Sequence, residues 1–157
     1  MNNVTIPRTE AERLIAMLQE QLDRKRETHT KWEDIKTLED ACKVVPLNAS
    51  QLALLDLGSE DRDVRAAQAV MKLTVISRAM NKLANGGAEW RPDWTDMSER
   101  KYYPWLKFLA GSGFSHFDYL CGYSVTAVGS RLCFISEDMA RHAATHFAEL
   151  YNDFFTF

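Results

Sequence analysis

The sequence predicts an α+β domain: N-terminal helices, then a three- to four-stranded antiparallel sheet, then a C-terminal helix packed on the sheet. Three observations predict it. Apolar residues recur at spacings of three and four from Ala66 to Ala84. Residues 101–135 are aromatic and β-branched, with glycines at turn spacing. The chain then runs into a second helical stripe, EDMARHAATHFAELYNDFF. With 157 residues, 46% of them hydrophobic, there is enough apolar material for a sizeable core and too much for a disordered chain. The expected division is a helical extension over 1–35 and a single α+β domain over 36–157.

Taken in order, Thr9-x-x-Glu12 reads as a capping box after Pro7. Ala11, Leu14, Ile15, Leu18 and Leu22 form a narrow apolar stripe behind it. The heptad pattern is lost at Lys25, which favours packing on the same chain; a homodimer through this helix is the alternative. Thr28 to Lys36 is polar around a single Trp32. Thr37 caps a short helix, LEDACKVV, with Asp40 in the reciprocal position and Pro46 beyond its end. Ser50 to Leu55 suggests one or two helical turns stopped at Gly58.

The strongest helix starts at Ser59-Glu60-Asp61 and stops at Asn85-Gly86-Gly87. Its expected core residues are Val70, Leu73, Ile76 and Met80, each worth roughly 1.5–3 kcal/mol when fully buried. Residues 88–100, AEWRPDWTDMSER, carry loop chemistry, with Trp90 and Trp94 expected to clip the connector to the surface. Tyr103 to Leu109 and Phe114 to Leu120 read as strands joined across Gly111-Ser112-Gly113, with Pro104 at a strand start or on an edge. YSVTAV and RLCFI read as a hairpin around Gly129-Ser130, in a register that sets Thr126 opposite Cys133 and Val125 opposite Phe134. Ser136 stands at an N-cap, followed by Glu137 and Asp138.

The net charge is −3, and neither half of the chain carries an excess of lysine and arginine. Capture of duplex nucleic acid therefore starts at a disadvantage. Cys42, Cys121 and Cys133 are widely spaced and odd in number, which predicts free buried thiols in a reducing compartment. The opening MNNVTIPRTEAERL lacks the apolar region of a secretory signal, and no apolar run reaches membrane-span length. The expected setting is cytoplasmic, and Asn48-Ala49-Ser50 is then a chance match to a glycosylation site.

Catalytic chemistry finds no signature. No H-E-x-x-H, phosphate loop or nucleophile elbow is present. Cys121 with His116 or His142 lacks any local motif for a thiol nucleophile. His142 and His146 share a helix face, and with Cys133 they are the weak alternative for a metal site, at a spacing far from known zinc sites. Asp93 with Asp96, and Glu149 with Asp153, read as turn and surface residues. No cofactor is expected. The candidate binding residues are Trp90, Arg91, Trp94, Arg100, Lys101, Tyr102, Tyr103 and Trp105, because aromatics with arginine on a surface loop are the mix found at interface hot spots. The same aromatics, if outward, could stack single-stranded bases.

KTLEDACK (36–43), WRPDW (90–94), KYYPW (101–105), GSGFS (111–115), VGSRLCF (128–134) and FAELYNDFF (147–155) together resemble a family of small uncharacterised proteins encoded by phages, prophages and mobile elements of Bacteroidetes. The resemblance covers most of the chain from about residue 36. It implies a phage-related intracellular setting and brings no activity and no catalytic residues. It also implies that the positions of His142 and His146 are not ordinarily histidine. The expected function is a non-enzymatic protein-binding accessory factor acting on a host or phage protein, with single-stranded nucleic-acid binding as the alternative.

Overall fold

The computed structural model describes residues 10, 12–13, 15–17, 31–110, 113–122 and 131–156, with 115–122 described by their backbone. Thr9 and most of the N-terminal stripe lie outside these residues, as do Gly129-Ser130 and the segment before them; Ile15, within them, is exposed.

Among the described residues, from 31 onward, five α-helices and a two-stranded antiparallel sheet make a mixed α and β structure. Helix α1 is Leu38–Val44, and its capping box is complete: Thr37 Oγ1 accepts from the Asp40 N–H, and the Asp40 carboxylate accepts from the Thr37 N–H. Burial pushes the Asp40 carboxyl up, but hydrogen bonds from Lys43, Thr37 and the Lys36 backbone outweigh it and hold the group at about 2. Helix α2, Ala49–Leu55, starts on a second capping box between Asn48 and Gln51. Helix α3, Arg62–Ala84, begins at Asp61, whose carboxylate accepts from the N–H groups of Asp63 and Val64. It ends as the sequence predicts. Gly86 adopts φ +66, its N–H reaches Leu83 O, and the Gly87 N–H reaches Lys82 O. That is the paired closure of a Schellman turn, which needs a residue in the left-handed region.

Helix α3 is the centre of the core. Leu73, Ile76, Ala79 and Met80 are buried, and Val70 is half-buried, short of the full burial expected. Ile35, next to a 3-10 turn at Trp32–Asp34, is fully buried in the same core. No helix among the described residues is long and apolar enough to cross a membrane.

Strands β1, Lys101–Leu109, and β2, Gly113–Gly122, pair antiparallel, with a bulge between Trp105 and Leu106 that leaves Phe117 as the extra residue. Among the described residues the sheet has these two strands, and the expected third, RLCFI, is not one of them. Its Phe134 makes a single bridge, exchanging both backbone hydrogen bonds with Tyr102. Two causes stop the ladder there. Pro104, the next residue of β1 facing that way, has no N–H to donate. In the other direction Ser136 already caps a helix, accepting from the Met139 N–H.

The hairpin register expected for Cys133 and Phe134 rests on residues 125 and 126, which lie outside the described residues. Phe134 is occupied by Tyr102, and the opposite edge of the segment is occupied by α3. Asn81 donates to Cys133 O at 2.8 Å and accepts from the Ile135 N–H at 3.2 Å, while Ser77 donates to Cys133 O at 3.0 Å. The Asn81 amide thus does what a neighbouring strand's backbone would do.

The single closing helix is two: α4, Glu137–His146, and α5, Ala148–Phe155. Phe147 leaves the helical region, at φ −118 and ψ 28, and buries its ring in the core. No glycine or proline marks the break in the sequence. Helix α5 docks on β2 through a second asparagine. Asn152 Oδ1 accepts from the Phe114 N–H, and Asn152 Nδ2 donates to Phe114 O. Phe155 packs on the Phe114 ring, so the described end of the chain is docked as expected.

Gly113 makes this docking possible. Its φ is +77, and a Cβ there would lie 2.5 Å from Asn152 Oδ1. Gly58 has a similar φ of +60 with open space around it. Gly58→Ala should cost only the left-handed backbone penalty, about 1–2 kcal/mol. Gly113→Ala should cost that and the clash with Asn152. A larger loss in urea midpoint for Gly113→Ala is the expected result; equal losses would show that Asn152 yields without cost.

Candidate functional site

The connector between α3 and β1 is built around one cation. Lys101, the first residue of β1, is fully buried. Its ammonium donates to the carbonyls of Asp93, Asp96 and Glu99, pairs with the Glu99 carboxylate at 2.9 Å, and lies 5.5 Å from the centre of the Trp94 ring. Glu99 also accepts from the Asp93 N–H at 2.6 Å, which closes the loop on itself. An ammonium has three donors on a long stem, so it satisfies inward-turned loop carbonyls that no ladder serves. Lys101 is therefore corrected from a surface binding residue to the internal organiser of residues 93–99.

Asp93 and Asp96 are turn residues, as expected. Asp93 Oδ1 accepts from the backbone and hydroxyl of Thr95, and Asp96 Oδ1 accepts likewise from Ser98. Those hydrogen bonds lower both carboxyl pKa values.

Upstream, Glu89 ties the start of the connector to α3. Its carboxylate takes a two-pronged hydrogen bond from Arg78, at 3.0 Å to Nε and 2.9 Å to one terminal nitrogen. Arg78 lowers the Glu89 pKa and is itself raised by the same bond. Between this tie and the Lys101 clasp, residues 89–94 stand beside α3 and leave an open groove of about 490 Å³. Thr74 and Arg78 of α3 form one wall; Trp90, Arg91, Pro92 and Trp94 form the other; Arg131 and Cys133 complete it. Trp90 and Trp94 are both half-buried.

The structure thus brings Trp90, Arg91 and Trp94 of the expected set into the groove, sets Lys101 against the Trp94 ring, and separates the rest. Arg100 is exposed and does not line the groove. Tyr102 packs against the core while its backbone bridges Phe134. Tyr103 is half-buried along β1, and Trp105, further along, is 44% exposed. Sequence reasoning missed Arg78 and Glu89. Their separation of 11 residues across a helix end carries no periodic signal; only the helix stop at Gly86-Gly87, which turns the chain back, could have suggested the pair.

The weak metal alternative comes apart. Cys133 lies in the groove wall beside α3, where burial pushes its thiol up to about 11 and keeps it protonated at neutral pH. His142 lies against Trp32, with its ring edge-on at 5.5 Å and its Nε2 2.7 Å from the Ile35 carbonyl. That contact puts the proton on Nε2, facing a carbonyl and not a metal. His146 touches His142 and is exposed. Among the described residues no three His, Cys, Asp or Glu side chains are grouped to hold a metal ion. The acidic pair of the last helix is likewise divided, since Asp153 is paired with Arg65.

Comparison with protein-family models, curated proteins and solved structures finds no match to this chain.

Proposed function

We propose that the chain is a non-enzymatic protein-binding factor and that the groove between α3 and residues 89–94 is its binding surface. One observation carries the reading: Trp90 and Trp94 are not sunk in the core but line an open groove together with Arg78, Arg91 and Arg131. Tryptophan and arginine in a partly desolvated concavity are the residues that carry most binding energy at protein interfaces. The resemblance of the sequence to proteins of phages and mobile elements supports a host or phage protein as the partner, met inside the host cell.

Single-stranded nucleic acid is the second reading, favoured by the exposure of Trp105 and Phe108, at 44% and 56%. It loses ground because Lys101 is buried and Tyr102 is packed against the core, which takes a cation and a ring from the stacking face.

The test is capture from lysogenic host cells with the wild-type chain beside Trp90→Ala and Arg91→Gln. A partner retained by the wild type and weakened by either variant, at an unchanged urea midpoint, is expected; a hot-spot loss of about 2 kcal/mol is roughly thirty-fold. Equal capture by all three proteins would remove the groove from the interface. A salt-dependent gel shift on single-stranded DNA and RNA, with no protein captured, would move the assignment to nucleic acid.

A further inference from the structure

The charge in the groove identifies its occupant more narrowly. The chain as a whole is acidic, with net charge −3. The groove reverses that sign locally, because three arginines line it against the single carboxylate of Glu89. Arg78 is committed to Glu89 through two hydrogen bonds. Among the described residues neither Arg91 nor Arg131 forms an ion pair, although Arg91 is near enough to help lower the Glu89 pKa; both line the groove and both are exposed. The polar side chains behind them are spent, since Ser77 and Asn81 both donate to the Cys133 carbonyl. The Cys133 thiol stays neutral, so it adds no negative charge to the groove. Trp90, Pro92 and Trp94 add an apolar wall on the connector side.

We propose that this groove takes a short acidic segment of a partner protein, with carboxylates on Arg91 and Arg131 and an apolar side chain against Trp90 and Trp94. The inference rests on the protein-binding reading above and adds the chemistry of the partner. Two features select a carboxylate-bearing peptide. The Arg78–Glu89 pair shows the groove wall already holding a carboxylate in the two-pronged geometry that guanidinium favours. Two arginines outside any ion pair, on an acidic protein, neutralise too few phosphates to hold a nucleic-acid strand at physiological salt. Glu89 is then an internal competitor: its carboxylate occupies the arginine that a third acidic group of the partner would reach.

The experiment uses fluorescence anisotropy on the full chain. The probe is a fluorescein-labelled octapeptide alternating glutamate with leucine; its controls are the lysine-for-glutamate counterpart and labelled oligothymidine. The acidic probe should bind and the lysine probe should not. The double variant Arg91→Gln, Arg131→Gln should weaken binding at least about ten-fold, the effect of about 1.4 kcal/mol. Glu89→Gln should tighten it several-fold by releasing Arg78, a gain that a merely structural Glu89 would not produce. Equal binding of acidic and lysine probes, no binding of the acidic probe, indifference to the arginine variants, or tighter binding of oligothymidine would each overturn the inference. The two readings fail separately. If capture from cells depends on Trp90 while the acidic probe does not bind, the partner's chemistry is wrong and the groove stands. If capture is indifferent to Trp90, the groove itself falls.

Discussion

Lys101→Met should unfold the connector and lower the stability of the domain by about 3 kcal/mol, near the lower end of the cost of breaking a buried ion pair. The substitution keeps the length and apolar stem of the side chain but removes its charge and donors. Three loop carbonyls, of Asp93, Asp96 and Glu99, then lose their donor, and the Glu99 carboxylate loses its ion partner. Glu99 is 26% exposed and can turn to water, which holds the cost below that of a fully enclosed pair. Lys101→Arg should not rescue the fold, because a planar guanidinium does not fit a site built for a compact ammonium. Urea unfolding followed by tryptophan fluorescence reads both effects. Trp94 sits over the ammonium, so its emission should shift to the red in the native baseline as well as at the midpoint. A stability within about 0.5 kcal/mol of wild type, the range of ordinary surface substitutions, would show that the buried ammonium does not organise the loop.

The second large effect belongs to Asn81. Asn81→Leu keeps the volume and removes the amide that lies along the edge of residues 133–135. The Ile135 N–H loses its acceptor, and the Cys133 carbonyl keeps Ser77. Leaving a part-buried donor without a partner falls within the range of about 1–3 kcal/mol, so a loss of about 2 kcal/mol is expected. Ser77→Ala should cost less, about 1 kcal/mol, because the Cys133 carbonyl still receives Asn81. Hydrogen exchange at the Ile135 amide separates the two, with strong deprotection in Asn81→Leu and little change in Ser77→Ala. Equal deprotection in both would contradict the strand-like role of Asn81.

These two residues also mark the limit of what the sequence revealed. Local signals were legible. The Thr37 capping box, the Asp61 start and Gly86-Gly87 stop of α3, the strands flanking Gly113 and the Ser136 cap all depend on neighbours a few residues away, and all are present. What was not legible was long-range. RLCFI has the composition of a strand and is indeed held at both edges, but by the Tyr102 backbone on one side and an asparagine side chain from α3, 52 residues away, on the other. Composition reports that a segment suits extended structure; it does not report what will pair with it.

The same limit explains the site. Trp90, Arg91 and Trp94 could be singled out because aromatics and arginine in turn chemistry are unusual. Lys101 next to them had the same local appearance and the opposite fate, since its burial is decided by carbonyls of residues 93–99 that turn inward only once the loop is closed. Phe147 is a third case: a helix stripe continued through it in sequence, and the core took its ring at the cost of a break between α4 and α5. Arg78 and Arg131, from α3 and from the segment before α4, join the groove only through the tertiary fold.

The central claim, that the groove between α3 and residues 89–94 is where a partner protein sits, is tested most directly by site-specific photo-crosslinking in host cells. A photoreactive phenylalanine analogue would replace Thr74, inside the groove, and in a separate protein Glu33, exposed on the 3-10 turn and outside the groove lining. A discrete adduct formed from position 74 and not from position 33, and lost when Trp90 is also replaced by alanine, is the expected result. Adducts of equal yield from both positions, or none from position 74, would contradict the claim.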